Sequence, residues 1–212
     1  GIITNCFSFH TQDATQVLVG RVMLNDKPVF VAVTHWHASP FDTPQNRTLL
    51  KELKDTYGYS DDEYNQAIQK LEADNEWRKN ESIAMAEFLK KVVHDNAPCI
   101  VMGDFNTTLD SPEMRYFLSQ GYHDTFLPSK NASPYTWNPM ENANIKKYYV
   151  TDTNTKFDSL YAHCTKINDL QPKTIDYILT NSVIPLTMVH RSTVCCTTLH
   201  DGYHPSDHFG VF

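Results

Sequence analysis

The chain has 212 residues, of which 20% are charged and 12% aromatic, with a formal net charge of −7. This is the composition of an ordered domain, and a chain of this length buries roughly 70% of its unfolded surface without staples. The acidic balance excludes broad, sequence-independent nucleic-acid binding through a basic face, and no apolar run approaches the ~20 residues of a membrane span.

The opening "GIITNCFSFH" reads as strand from its first residues, so an N-terminal piece is expected to be absent. "QVLVGRVMLNDKPVFVAVTH" predicts a hairpin. Val17, Val19, Val22 and Leu24 build its first strand, and residues 29–33 the second. Asn25, Asp26, Lys27 and Pro28 form the turn. The second strand is nearly continuously apolar, which predicts burial. From Pro44 to about His94 the pattern becomes helical. Leu49, Leu50 and Leu53 share one face; Ser60 with the acidic residues after it marks a helix start. Ile83, Met85, Ala86, Leu89, Val92 and Val93 continue as an apolar stripe at helical spacing.

Cys99–Met102 predicts a short buried strand ended by Gly103. Ser111 suits an N-cap, Pro112 the first helical position and Gly121 the exit. The polar, aromatic stretch from His123 to Asp169 predicts mostly loop, with a short strand near "KKYYV". "TIDYILT", "LTMVHRSTVCC" and "HFGVF" predict strands. Five cysteines without a CxxC spacing argue against a zinc ribbon or a disulfide scaffold. The N-x-[ST] triplets at Asn46, Asn80, Asn106 and Asn131 carry little weight.

Polar groups gather at the strand ends. His35 follows one buried strand, Asp104 and Asn106 follow another, Asp176 sits inside a third, and Asp207 and His208 open a fourth. Singly, each has a plain structural reading as turn, cap or surface residue. Asp176 is less easily dismissed, because a carboxylate among Ile175, Tyr177 and Ile178 needs a partner, either histidine or metal. Together they predict one pocket. Carboxylate and amide oxygens suit Mg²⁺ or Mn²⁺, and a His–Asp pair suits proton transfer.

"MGDFN", "TIDYIL" and "SDHFG", in that order and preceded by "VTHW", resemble the motifs of the endonuclease/exonuclease/phosphatase superfamily. The resemblance implies an α+β fold, the four-layer α/β-β/α sandwich of DNase I-like proteins, as a single N-terminally truncated domain over residues 1–212. It implies a Mg²⁺- or Mn²⁺-dependent phosphohydrolase that attacks a phosphodiester or phosphomonoester in line with an activated water. Asp104 would orient or deprotonate that water. Asn106 would contact the scissile phosphate or the metal, and His35 the phosphate. Asp207 would lie near the metal, with Asp104, Asn106 and His208 as further ligands. His208 would contact phosphate or transfer a proton, oriented by Asp176, and Trp137 would border the pocket.

The substrate would be a lipid headgroup, a nucleotide or RNA, or an inositol phosphate. The family's first two strands, with an Asn and a metal-binding Glu, have no match before His35; Asn5 lacks the expected motif after it. A missing N-terminal segment or another chain is therefore expected to complete the sheet. Thr174 stands where many relatives have arginine. Two other readings stand beside this one: a catalytically impaired binding module on the same scaffold, and a zinc hydrolase built on "HDGYHPSDH" with His200 and His204, which His37 could also join.

Overall fold

The computed structural model describes residues 4–8, 15–94, 97–126, 134–149 and 155–212, with the backbone alone for 4–8 and 147–149. Asn131 and Val150 lie outside the described residues, as does the side chain of Cys6.

Two consecutive positive φ angles, 49° at Asn25 and 60° at Asp26, make a tight hairpin turn. Asn and Asp are the side-chain-bearing residues that best tolerate this left-handed region. The turn is two residues long rather than the four expected, because Lys27 and Pro28 already pair with the opposite strand. It joins β2 (Gln16–Leu24) to β3 (Lys27–His35), and β1 (Thr4–Ser8) pairs with β2 on its other side. After a long crossover, β4 (Cys99–Asp104) lies parallel to β3. β6 (Asp176–Asn181) runs antiparallel to β4, and β5 (Tyr122–Asp124) closes the edge, giving the order β1-β2-β3-β4-β6-β5. A separate two-stranded sheet pairs β7 (Val194–Cys195) with β8 (Gly210–Val211).

The crossover carries α1 (Pro44–Tyr57) and α2 (Asp61–Val92). Thr43 caps α1 with Pro44 beside it, and Gly58 at φ 66° ends it. A capping box between Ser60 and Glu63 opens α2, and Lys90 and Lys91 in its last turn complement the helix dipole. Both helical stretches between Ser60 and His94 belong to this one 32-residue helix. No helix among the described residues is long and apolar enough to cross a membrane. As the sequence predicts, Ser111 caps α3 (Pro112–Ser119) and Gly121 leaves it at φ 91°.

One face of the sheet, formed by Val17, Val19, Phe30, Ala32, Cys99, Val101, Tyr177 and Leu179, packs on Met85, Ala86 and Leu89 of α2 and on Met114 and Phe117 of α3. Trp36 and Phe105 are fully buried here, their rings edge to face at 5.0 Å. A second core joins Leu50, Leu53, Ala67, Leu71, Leu160 and Cys164. The opposite sheet face is apolar too, yet Leu18 and Val33 are 42% and 47% exposed. The burial expected of the whole run 29–33 therefore fails at Val33, and Val22 and Leu24 are also exposed. Side chains alternate between faces along a strand, and among the described residues only one face is well covered.

Two further expectations are corrected. "KKYY" lies in a helix, α4 (Ala143–Tyr149), because Asn142 accepts the Asn144 and Ile145 N–H groups and Ile145 packs into a core with Trp137 and Ile175. The stretch up to Asp169 holds α5 (Leu160–Asp169), capped by Ser159 and buried through Leu160, His163 and Cys164. In "LTMVHRSTVCC" only Val194–Cys195 is strand, and Leu186–Met188 form a single 3-10 turn.

At Gly103 the β4 backbone leaves no room for a side chain against β3. The φ of Gly103 is 148°, and a Cβ there would fall 1.9 Å from the Thr34 carbonyl oxygen. Gly103→Ala is expected to cost at least about 3 kcal/mol, since backbone rather than a flexible side chain must move. Urea denaturation of the two proteins measures it.

Candidate active site

Strand register assembles most of the site. In the parallel β3–β4 pair His35 lies opposite Asp104, and in the antiparallel β4–β6 pair Asp104 lies opposite Asp176. Three neighbouring strands thus present His35, Asp104 and Asp176 at one sheet edge, with roughly 4.8 Å between adjacent strands. The tail adds the fourth stretch: the Phe209 N–H donates to the Thr136 carbonyl at 2.7 Å, which brings His208 over Asp176.

The His208 Nδ1 lies 2.9 Å from Asp176 Oδ2, and its Nε2 lies 3.9 Å from Asp104 Oδ2. The His35 Nε2 is 3.6 Å from the same Asp104 oxygen. The Asn106 N–H donates to Asp104 Oδ1 at 2.8 Å. This local turn holds Asn106 at φ 47° and aims its side chain back across the strand end. Asn106 Nδ2 donates to the Trp36 carbonyl at 2.9 Å and lies 3.1 Å from His35 Nε2. The Trp137 ring stands edge-on to His208 with centroids 5.1 Å apart, and its Nε1–H donates to the Asp169 carbonyl.

Asp207 is placed differently from the rest. It is exposed, its carboxylate accepts a hydrogen bond from Ser206, and it lies outside the cluster of ligand atoms. That cluster is Asp104, Asp176 and His208, whose donor atoms lie within 4.8 Å of one another.

Burial pushes the Asp104 carboxyl up to about 6, and the Asp176 charge opposite adds to the rise; the neighbouring His208 partly offsets it. Like charges directly opposed on neighbouring strands repel. For His208, burial alone would lower the imidazole, but the hydrogen bond it donates to Asp176 and the charges of Asp176, Asp104 and Asp207 outweigh it, so the ring holds its proton above the ordinary range. A divalent cation fits this donor set. Two half-buried carboxylates and an imidazole converge with excess negative charge, and oxygen-rich sites of this kind suit Mg²⁺ or Mn²⁺.

Two bracing residues escape sequence reasoning. Buried Thr136 accepts the N–H groups of Ile175 and Asp176 on its hydroxyl, while its carbonyl takes Phe209. It therefore ties the start of β6 to the tail. Buried Asn142 donates to the carbonyls of both Ser206 and Asp207, fixing the turn before His208. Only the run of polar residues around Trp137 hints at either.

His204 is also buried. Its Nδ1 accepts the Ala143 N–H at 3.0 Å and its Nε2 faces the Thr197 carbonyl at 3.1 Å. Both ring nitrogens hold the turn together, which leaves neither for a zinc ion.

A cavity of about 380 Å³ opens beside the cluster, between the less covered sheet face at Met102 and Ile178 and the small sheet at Gly210 and Val211, with Cys196 beside it.

This chain belongs to the Endonuclease/Exonuclease/phosphatase family, whose model matches residues 30–208. No curated protein matches it in sequence. Among solved structures it resembles SmcL, with a TM-score of 0.61 and 17% identity over 99% of this chain and 64% of that one. A D. rerio TDP2 complexed with single-strand DNA product aligns at TM-score 0.56 and 15% identity, over 99% and 66%. A beta toxin from Staphylococcus aureus aligns at 0.55 and 17%, over 93% and 56%. At these identities the likeness shows the fold, a DNase I-like α+β sandwich. The chain spans between 56% and 66% of the length of these three.

Proposed function

We propose that the chain is a single domain whose site hydrolyses a phosphodiester or phosphomonoester by in-line attack of water on phosphorus, with Mg²⁺ or Mn²⁺ bound. The observation that carries this is the convergence of His35, Asp104, Asn106, Asp176 and His208, from four separate stretches of chain, at one sheet edge.

Asp104 is ionised above about pH 6 and orients the attacking water through its carboxylate. His35 and Asn106, locked together, face the phosphoryl oxygens. His208 carries a proton on Nδ1 into the Asp176 bond and presents Nε2 to the phosphate or the departing oxygen. Trp137 walls that side of the site. A bound divalent ion supplies Lewis-acid stabilisation of charge on the phosphoryl oxygens; the Asp104 and Asp176 carboxylates would hold it, with Asn106 beside them. The acidic net charge favours a lipid headgroup, a nucleotide or RNA, or an inositol phosphate over duplex DNA.

The exposed apolar face at Leu18 and Val33 supports a further segment or another chain lying over it, and the greater length of the similar structures supports the same reading. A catalytically impaired binding module is the second reading. Its support is the absence of any glutamate from the acidic cluster among the described residues.

Hydrolysis of bis(4-nitrophenyl) phosphate and of 4-nitrophenyl phosphate, with Mg²⁺, with Mn²⁺ and with EDTA, tests the choice. Metal-dependent turnover of either substrate supports the enzyme; none from folded protein supports the module.

The pH dependence of metal binding gives an independent check. Asp104 has a folded pKa above its unfolded value, so its ionisation destabilises the metal-free fold, and stability falls from about pH 4 to about pH 6. Asp124, raised to about 6 by burial, acts in the same direction. Millimolar Mg²⁺ is therefore expected to raise the melting temperature at about pH 7.5, and the increase is expected to fade below about pH 6, where Asp104 keeps its proton. Thermal melts across that range measure it.

A further inference from the structure

Asp74, Arg78 and Glu81 stand on one face of α2, at i, i+4 and i+7, and all three are buried. Each reaches the same loop, the one that leaves β3 immediately after His35. Glu81 Oε2 accepts the His37 N–H at 2.8 Å, and its Oε1 accepts the Thr15 hydroxyl at 2.6 Å. Asp74 Oδ1 pairs with His37 Nε2 at 3.0 Å, and its carboxylate also takes Lys70 and the Tyr161 hydroxyl. The His37 ring stacks on Trp77, centroids 4.2 Å apart and nearly parallel. Arg78 pairs with Glu113 at 3.2 Å and donates to the Ser39 hydroxyl and to the Ser39 and Pro40 carbonyls.

A single residue, Trp36, separates this clamp from His35. Its indole N–H donates to Met85 Sδ on the same helix, and its carbonyl receives Asn106 Nδ2, the group that lies against His35. Burying a carboxylate costs several kcal/mol unless it is paired, and apolar side chains of like size commonly stabilise a core as well or better. Polar groups in these places fix positions. Contacts to a reacting phosphate need placement to within roughly 0.5 Å, which a free loop does not give.

We propose that Glu81 and Asp74 are positioning residues: from α2 they set the Trp36–His37 peptide, and through it the orientation of His35 and Asn106. The catalytic consequence rests on the phosphohydrolase reading above, whereas the positioning itself does not.

Glu81→Ala and Glu81→Gln test it, with Leu71→Ala as a control. Leu71 is fully buried on the same helix but belongs to the second core, away from the site. In metal-free, substrate-free protein the imidazole resonances of His35 and the side-chain amide resonances of Asn106 are followed by NMR. Both sets are expected to shift in Glu81→Ala, to shift less in Glu81→Gln, and to stay in place in Leu71→Ala despite its lower melting temperature.

On bis(4-nitrophenyl) phosphate, Glu81→Ala is expected to lose roughly 10- to 100-fold in kcat with KM nearly unchanged, and Glu81→Gln to recover part of it. Unmoved resonances in the folded Glu81 variants, or equal movement in Leu71→Ala, overturn the proposal. If Glu81→Ala does not fold, Glu81→Gln decides alone on the same two readouts. A parent protein without turnover overturns the phosphohydrolase reading, and the resonances still decide the positioning.

Discussion

Asp104→Asn is expected to lower kcat/KM on a phosphodiester by at least about three orders of magnitude, with the fold intact. The carboxylate is the one group that faces all the others, with His35 and His208 near the same oxygen and Asp176 opposite in register. Asparagine keeps the shape and still accepts the Asn106 N–H that shapes the loop. What it removes is the charge that orients water and attracts the cation. The same charge costs the metal-free protein stability, because burial strips it of water and Asp176 opposes it. Asp104→Asn is therefore expected to melt at a higher temperature than the parent near pH 8 without metal, while being inactive. Loss of activity with a gain in stability separates a chemical role from a structural one; steady-state kinetics and thermal melts on the same preparations show both.

The second large effect belongs to the tail. His208→Ala is expected to lose about 10³-fold in kcat, and Asp176→Asn about 10²-fold, because the second leaves the ring in place but removes the charge that holds its proton. The signs of the pH profile follow. Asp176 raises the His208 pKa, so the alkaline limb of kcat/KM, where His208 loses its proton, moves to lower pH in Asp176→Asn. The acid limb follows Asp104, whose carboxyl is held at about 6 in the metal-free protein and moves to lower pH once the cation is bound. If Asp176 acts through His208, the double variant is no worse than His208→Ala alone. Additive losses are the mark of its second role, holding the cation.

Much of this site was legible in the sequence because each group sits next to a strand whose pattern is local. Apolar runs ending in Gly103-Asp104 and Thr34-His35 announce both the strand and its polar exit. The register was not legible. Periodicity identifies a strand and its faces but not its neighbour, so that His35, Asp104 and Asp176 fall in one row is a fact of pairing. Thr136 and Asn142 stayed hidden for a related reason: their partners are carbonyls and N–H groups of residues up to 73 positions away in the chain, Thr136 to Phe209. Asp207 shows the limit of motif adjacency. Residues 205–208 form a bend, in which the His208 N–H donates to the Ser206 hydroxyl; with His208 turned toward Asp176 the aspartate before it faces solvent.

From sequence the α4 stretch reads as a short strand at "KKYYV" and the α5 stretch as loop, because Asn, Tyr and Thr have low helical propensity. Tertiary burial of Ile145, Leu160 and Cys164 overrides it. Their caps, Asn142 and Ser159, were in plain view. The run ending at Val33 misled in the other direction, since an apolar strand reads as covered whether or not anything lies over it.

Binding of Mn²⁺, followed by the loss of its free-ion paramagnetic resonance signal, tests the gathering of these side chains around a cation most directly. One ion per chain, displaced by Mg²⁺ and lost in Asp104→Asn, is the expected result. Binding that survives Asp104→Asn unchanged, or no binding at millimolar Mn²⁺, would contradict it.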